Sequence, residues 1–267
     1  MKCASSKLAP SICRSRRRNC PTNRAIWQSS SPALGNKDSG AIPPALRRRL
    51  RVAHKRYMLR RSINQFYRDP RKAASSTADL LGDLIYGWGN EGWSAFPEFL
   101  SACVGHALAS KGAILECGSG LTTVLLGLLA KRQGSTVWAL EDSPEWSETV
   151  NGVLRRHQID CVRLCTVPLR NFGEFHWYDP PLEEMPEFSL VICDGPAAQT
   201  PGGRYGLLPA MRDKLCKETV VLLDDAIRED DRSIGRRWAA EFHMNCELLG
   251  SDRPFLRLTF PATKFPG

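Results

Sequence analysis

From Ala113 onward the chain alternates short apolar runs with segments of helical periodicity. The runs are Ala113–Cys117, Thr136–Leu140, Val162–Val167, Phe188–Cys193, Val220–Leu223, Glu247–Leu249 and Phe255–Phe260. Helical patterns fall among the first five, at Thr122–Arg132, Pro144–Gln158 and Gly206–Lys217, and one more, Ser233–Phe242, lies between the fifth and sixth. A strand buried on both sides has no polar face to alternate, so near-continuous apolar strands separated by helices predict a parallel sheet covered on both faces. The last two runs have no helix between them and predict a terminal hairpin. Upstream, Trp93–Ser110 reads as a helix stopped by Gly112. Pro43 to Tyr67 is also helical in pattern, with Leu46, Leu50, Ala53 and Tyr57 spaced four, three and four apart, then Leu59, Ile63 and Phe66. Arg47, Arg48, Arg49, Arg51, Lys55, Arg56, Arg60 and Arg61 crowd the same helix. They read as the solvated face of a helix docked by its apolar stripe, or as a surface for phosphates or an anionic membrane.

Charge divides the chain. Residues 1–72 hold 19 Lys and Arg against Asp38 and Asp69, while the remaining 195 hold 18 against 26 acids; +17 and −8 make up the whole-chain +9. Polyanion affinity is therefore expected only in the N-terminal quarter. Residues 1–40 are rich in Ser, Arg, Pro and Asn, with too few apolar positions to offset the entropy of ordering. Their acid-poor start resembles a transit peptide, without a clear amphipathic period before Pro21. The expected organisation is a disordered basic tail over 1–42, a basic amphipathic helical extension over 43–86 and the main domain over 87–267. An apolar content of 42% excludes a wholly disordered chain, and no uninterrupted apolar stretch reaches the length of a membrane-spanning helix. Ten cysteines occur without a CxxC pair or zinc-finger spacing, and Cys117 and Cys193 lie inside apolar runs; we read a reducing, cytoplasmic setting.

The densest chemistry follows the first run, at Leu115-Glu-Cys-Gly-Ser-Gly-Leu-Thr-Thr123. Gly118 and Gly120 let the backbone turn tightly and approach a ligand, and the next helix offers unpaired N–H groups at its start. A dinucleotide loop would carry a third glycine where Thr123 stands, so the loop argues against a nicotinamide cofactor. The second strand ends in Glu141-Asp142, where a carboxylate can accept both ribose hydroxyls of an adenosine; taken alone, Glu141 would read as a solvated strand-end acid. The fourth strand ends in Asp194-Gly-Pro and the fifth in Asp224-Asp225. Acids thus gather at the C-terminal edge of the expected sheet, where doubly wound folds build their sites.

These elements resemble the class I S-adenosylmethionine-dependent methyltransferases, whose first loop reads E/D-x-G-x-G, matched by Glu116-Cys-Gly118-Ser119-Gly120. The resemblance spans roughly residues 88–260. It implies an α/β fold with a doubly wound, mostly parallel seven-stranded sheet of the Rossmann-like methyltransferase type and a reversed terminal hairpin. It further implies that Glu116, Gly118, Ser119 and Gly120 contact the methionine part of the cofactor and Glu141 its ribose, with Asp142 or the Pro168-Leu169-Arg170 loop near adenine.

Asp194, Asp224 and Asp225 at neighbouring strand ends would repel unless something positive joins them, and a divalent cation such as Mg2+ is the usual answer. The set is similar to that of the metal-dependent macrocin-type sugar O-methyltransferases, with Asp194-Gly-Pro in place of Asp-Gly-Asp. Two arrangements stay open: an ion held by all three acids, or an ion-free site in which Asp225 caps the next segment and Asp194 orients cofactor or acceptor. Methyl transfer requires an aligned acceptor and, for a hydroxyl, removal of its proton. Asp194 and Asp224 are the catalytic candidates, while His176 beside aromatics reads as structural. The loops Gly87–Trp93 and Gln199–Tyr205 would shape the acceptor pocket, with Arg204 holding an anionic or polyhydroxy acceptor. The expected activity is methylation of an oxygen on a small molecule or glycan, with or without a divalent metal. The absence of an Asn/Asp-Pro-Pro-Tyr motif disfavours nucleic-acid bases and amides. The rival is a non-catalytic binding module, a degenerate methyltransferase fold with a basic helix for RNA or a membrane surface.

Overall fold

The computed structural model describes residues 43–75, 79–90 and 95–261; the tail expected over 1–42 lies outside them. The described residues open with α1 (Pro44–Arg68), where Pro44 occupies the first helical position and its missing N–H costs nothing. A turn of 3-10 helix (Pro70–Ala73) leads to α2 (Asp79–Trp88) and α3 (Pro97–Ala109). Then come β1 (Ala113–Cys117), α4 (Leu121–Gln133), β2 (Val137–Glu141), α5 (Pro144–Arg156), β3 (Val162–Thr166), β4 (Leu169–Asn171) and β5 (His176–Tyr178). The remainder is β6 (Phe188–Cys193), α6 (Leu207–Met211), β7 (Leu215–Leu223), α7 (Glu229–Glu241), β8 (Asn245–Leu249) and β9 (Phe255–Thr259).

Seven strands form one sheet in the order β3-β2-β1-β6-β7-β9-β8, parallel except for β9, which runs antiparallel to both neighbours. The fold has the parallel sheet and terminal hairpin that the apolar runs predict, in the doubly wound, seven-stranded form with a reversed hairpin that the resemblance implies. Along β6, Leu190 and Ile192 join the core beneath α3 and α4, while Val191 and Cys193 join the core on the opposite face with Trp177 and Trp238. Both faces of the strand are covered, which is why its sequence is apolar throughout. The strand order reverses between β1 and β6, and the opening there is where such sheets receive ligands.

Three elements differ from expectation. The helix expected over Gly206–Lys217 ends at Met211, because Leu215 pairs with Phe188 and starts β7 early; the Thr219 hydroxyl donates to the Phe188 carbonyl at 2.6 Å across the resulting irregularity. The antiparallel pair β4–β5 was not foreseen, its strands being three residues each. Helix α1 docks by Leu59, Ile63 and Phe66, with Ser62 buried beside them and His54 within hydrogen-bond distance of the Tyr86 hydroxyl. There it lies so close to α2 that a Cβ on Gly87 would come within 2.6 Å of the Leu59 nitrogen. Leu46, Leu50 and Tyr57 of the expected docking stripe stand exposed. The step from Tyr57 to Leu59 turns a helix by about 200°, so the two apolar sets occupy opposite sides. No helix among the described residues is long and apolar enough to cross a membrane.

Candidate functional site

The loop after β1 is fixed on three sides. Gly118 has φ +85°, and a Cβ there would meet the backbone nitrogen of Gly195 at 2.9 Å. The loop and the turn after β6 therefore touch backbone to backbone, and the Cys117 carbonyl accepts from the N–H groups of both Asp194 (2.9 Å) and Gly195 (2.6 Å). Glu141, at the end of β2, accepts from the Ser119 N–H (3.0 Å) and hydroxyl (2.7 Å) with one oxygen and from the Ser143 N–H (3.0 Å) with the other. It is a buried tether of the loop rather than a solvated acid. The Trp146 indole donates to the Ser119 carbonyl at 2.7 Å, and Trp88 stands edge-on to Trp146 at 6.0 Å. The Gly87–Trp93 segment thus bears on the loop through Trp88; residues 91–94 lie outside the described residues.

Thr123 explains the missing third glycine. Its hydroxyl oxygen accepts from the Gly120 N–H at 2.8 Å, capping α4, and the same side chain hydrogen-bonds Glu116. Glu116 is 1% exposed, and its Oε2 has no partner. Burial pushes its carboxyl well above the usual range, against the Thr123 hydrogen bond and with help from the Asp194 and Glu141 charges. A buried carboxylate with a spare oxygen, beside a loop free of side chains at Gly118 and Gly120, suits a ligand that brings its own cation or donor.

Next to this loop the acids do converge: Asp194, Asp224 and Asp225 each place an oxygen within 4.8 Å of the others. A guanidinium lies among them. Arg204 is 3% exposed; its Nη2 donates to the Asp194 carboxylate (2.9 Å), the Asp194 carbonyl and Asp225 (3.0 Å), and its Nη1 to the Asp224 carbonyl (2.9 Å) and Asp231 (3.4 Å). Arg228 reaches Asp225 and Asp231, both at 2.6 Å. The positive group that joins the acids is therefore arginine, and Arg204 is committed to the protein instead of facing an acceptor. Asp225 sits at φ +58°, a left-handed conformation that a short acid tolerates, with its N–H on Asp224 Oδ1 at 2.7 Å. Four carboxylates against two guanidiniums leave negative charge in excess, and protonation relieves it. The Asp224 carboxyl is raised to about 8 by burial and then by Asp194 and Asp225. That of Asp194 rises to about 6, burial outweighing the pull of Arg204. Asp194 remains the more open, its side chain 32% exposed.

Asp142 is exposed at the end of β2, and His176 lies on β5, its backbone N–H on the Pro201 carbonyl. Sequence reasoning missed Trp146, Asp231, Arg228 and Tyr178. The Tyr178 hydroxyl comes within 2.4 Å of where a Gly195 Cβ would stand, so the β4–β5 pair presses on the same turn. Only the glycine at 195 hinted at so close an approach.

No protein-family model matches the sequence, and no curated protein matches it. Solved structures do resemble the fold. The SAH-bound Podospora anserina methyltransferase PaMTH1 aligns over 86% of this chain and 100% of its own, at 15% identity and a TM-score of 0.52. The precorrin-6Y C5,15-methyltransferase of Geobacter metallireducens GS-15 aligns over 64% of this chain and 91% of its own, at 13% identity and a TM-score of 0.48. The chain has the class I methyltransferase fold.

Proposed function

We propose that this protein is an S-adenosylmethionine-dependent methyltransferase that acts on an oxygen of a small molecule or glycan, without a divalent metal. The observation that carries the reading is the unpartnered buried oxygen of Glu116 beside the bare Gly118–Gly120 turn, at the switch point of the sheet. Glu116, Gly118, Ser119 and Gly120 would hold the amino-acid end of the cofactor, Glu141 its ribose, and Asp142 would lie toward adenine. Glu141 has lone pairs left after its three hydrogen bonds. The bound sulfonium supplies an activated methyl group together with its leaving group.

The protein's own contribution is alignment and proton removal. Asp194, open to solvent and raised to about 6, is ionised at neutral pH and poised to accept a hydroxyl proton. Asp224, buried and raised to about 8, keeps its own proton and supports Asp225. The acid spacing alone would suit Mg2+, but Arg204 occupies the space between Asp194 and Asp225, and an ion would have to displace it. The cytoplasmic setting is part of the same reading: Cys117 and Cys193, register partners across β1 and β6, are free thiols in the core. The test is transfer from methyl-labelled cofactor to a panel of hydroxylated small molecules and glycans. Labelling that persists in chelator is expected; labelling that appears only with Mg2+ would restore the ion, and labelling of amines alone would reassign the acceptor.

The binding-module rival shares the fold, and the exposed basic half of α1 is the observation that keeps it in view. It predicts no cofactor binding, which separates it from the enzyme.

A further inference from the structure

Helix α1 carries nine Lys and Arg and no acid from Pro44 to Arg68. Every residue from Pro44 to Ala53 is exposed, so about 15 Å of helix holds no buried side chain. Positive side chains at a helix N-terminus oppose its dipole, so the helix's own electrostatics do not account for this sequence. Its apolar residues are ordered nonetheless. Leu46, Leu50, Ala53 and Tyr57 line one stripe, with Leu46, Leu50 and Tyr57 47%, 51% and 62% exposed. That stripe points away from the docked set of Leu59, Ile63 and Phe66. At about 100° per residue, Arg49, Arg56 and Arg60 flank it on one side and Arg47 and Arg61 on the other.

We propose that this outer face of α1 is an interfacial anchor that seats the protein on an anionic lipid surface. An apolar stripe between two rows of arginine is what a bilayer interface matches, with Leu and Tyr among the acyl chains and guanidiniums among the headgroup phosphates. A nucleic acid would engage the arginines but gain nothing from Leu46 and Leu50. A second copy pairing through this same face would set arginine against arginine, so like charge opposes that occupant.

The test is flotation of the full chain with phosphatidylcholine vesicles containing phosphatidylglycerol, against pure phosphatidylcholine. Binding is expected only with the anionic lipid and should weaken as salt is raised. Leu46→Ser/Leu50→Ser/Tyr57→Ser should reduce partitioning about tenfold or more. Its melting temperature should not change, because the three side chains pack against nothing in the core. Arg49→Glu/Arg56→Glu/Arg60→Glu should abolish binding. No flotation, or flotation that the first triple variant leaves intact, would overturn the proposal. So would tighter binding to a short RNA duplex that survives the loss of Leu46, Leu50 and Tyr57.

Discussion

Two regions of this molecule carry dense charge and treat it in opposite ways. At the edge of the sheet, Asp194, Asp224, Asp225 and Asp231 are gathered around Arg204 and Arg228, and both terminal nitrogens of Arg204 are spent on them. Along α1, nine basic residues meet no acid of their own helix, and all but Lys55, which lies over the Tyr86 ring, are exposed. Burial explains the first arrangement, since a charge removed from water without a partner costs several kcal/mol. Solvent explains the tolerance of the second, since exposed charges are screened and need no partner for folding. Compensated charge therefore holds the ends of β6 and β7 together, whereas Arg49, Arg56 and Arg60 are exposed to solvent.

The largest effect should come from breaking the compensated side. Arg204→Ala would leave buried acids unpaired, at a cost of about 3–5 kcal/mol and roughly 10 °C in melting temperature. Arg49→Ala/Arg56→Ala should shift it by less than about 2 °C; similar shifts from both would erase the contrast. Next comes Gly118→Ala, which adds a Cβ against Gly195 at a positive φ. It should lose about 1–3 kcal/mol of stability and all measurable affinity for S-adenosylhomocysteine by calorimetry.

A smaller effect should appear with pH. The Asp224 carboxyl moves up from its ordinary 3.8 to about 8 in the fold, so the stability it contributes is complete at low pH and is lost as pH rises toward and through 8. Asp224→Asn cannot ionise, and its melting temperature relative to the native chain should improve by a few degrees between pH 5 and pH 9. A difference constant over that range would mean that Asp224 does not carry the raised value. Smallest of all, Mg2+ or chelator should leave the melting temperature unchanged, where an ion held by Asp194, Asp224 and Asp225 would raise it.

The sheet was legible because burial on both faces writes strands as apolar runs, and the loop at Glu116–Gly120 because few chemistries need two glycines after a strand-end acid. The partners of Arg204 were not legible, since the acids it joins lie 10, 21 and 27 residues away and meet it only once β6 and β7 are paired. The β4–β5 pair is too short for any period to register. The exposed stripe of α1 could have been found by counting: a step of two residues between Tyr57 and Leu59 cannot keep one helical face.

The central claim is that the turn beside Glu116 binds an adenosyl cofactor, and calorimetric titration of the full chain with S-adenosylhomocysteine, with and without Mg2+ and with NADH as control, tests it most directly. Micromolar binding of S-adenosylhomocysteine, indifferent to Mg2+ and unmatched by NADH, is the predicted result. Absence of S-adenosylhomocysteine binding, or a preference for NADH, would contradict it.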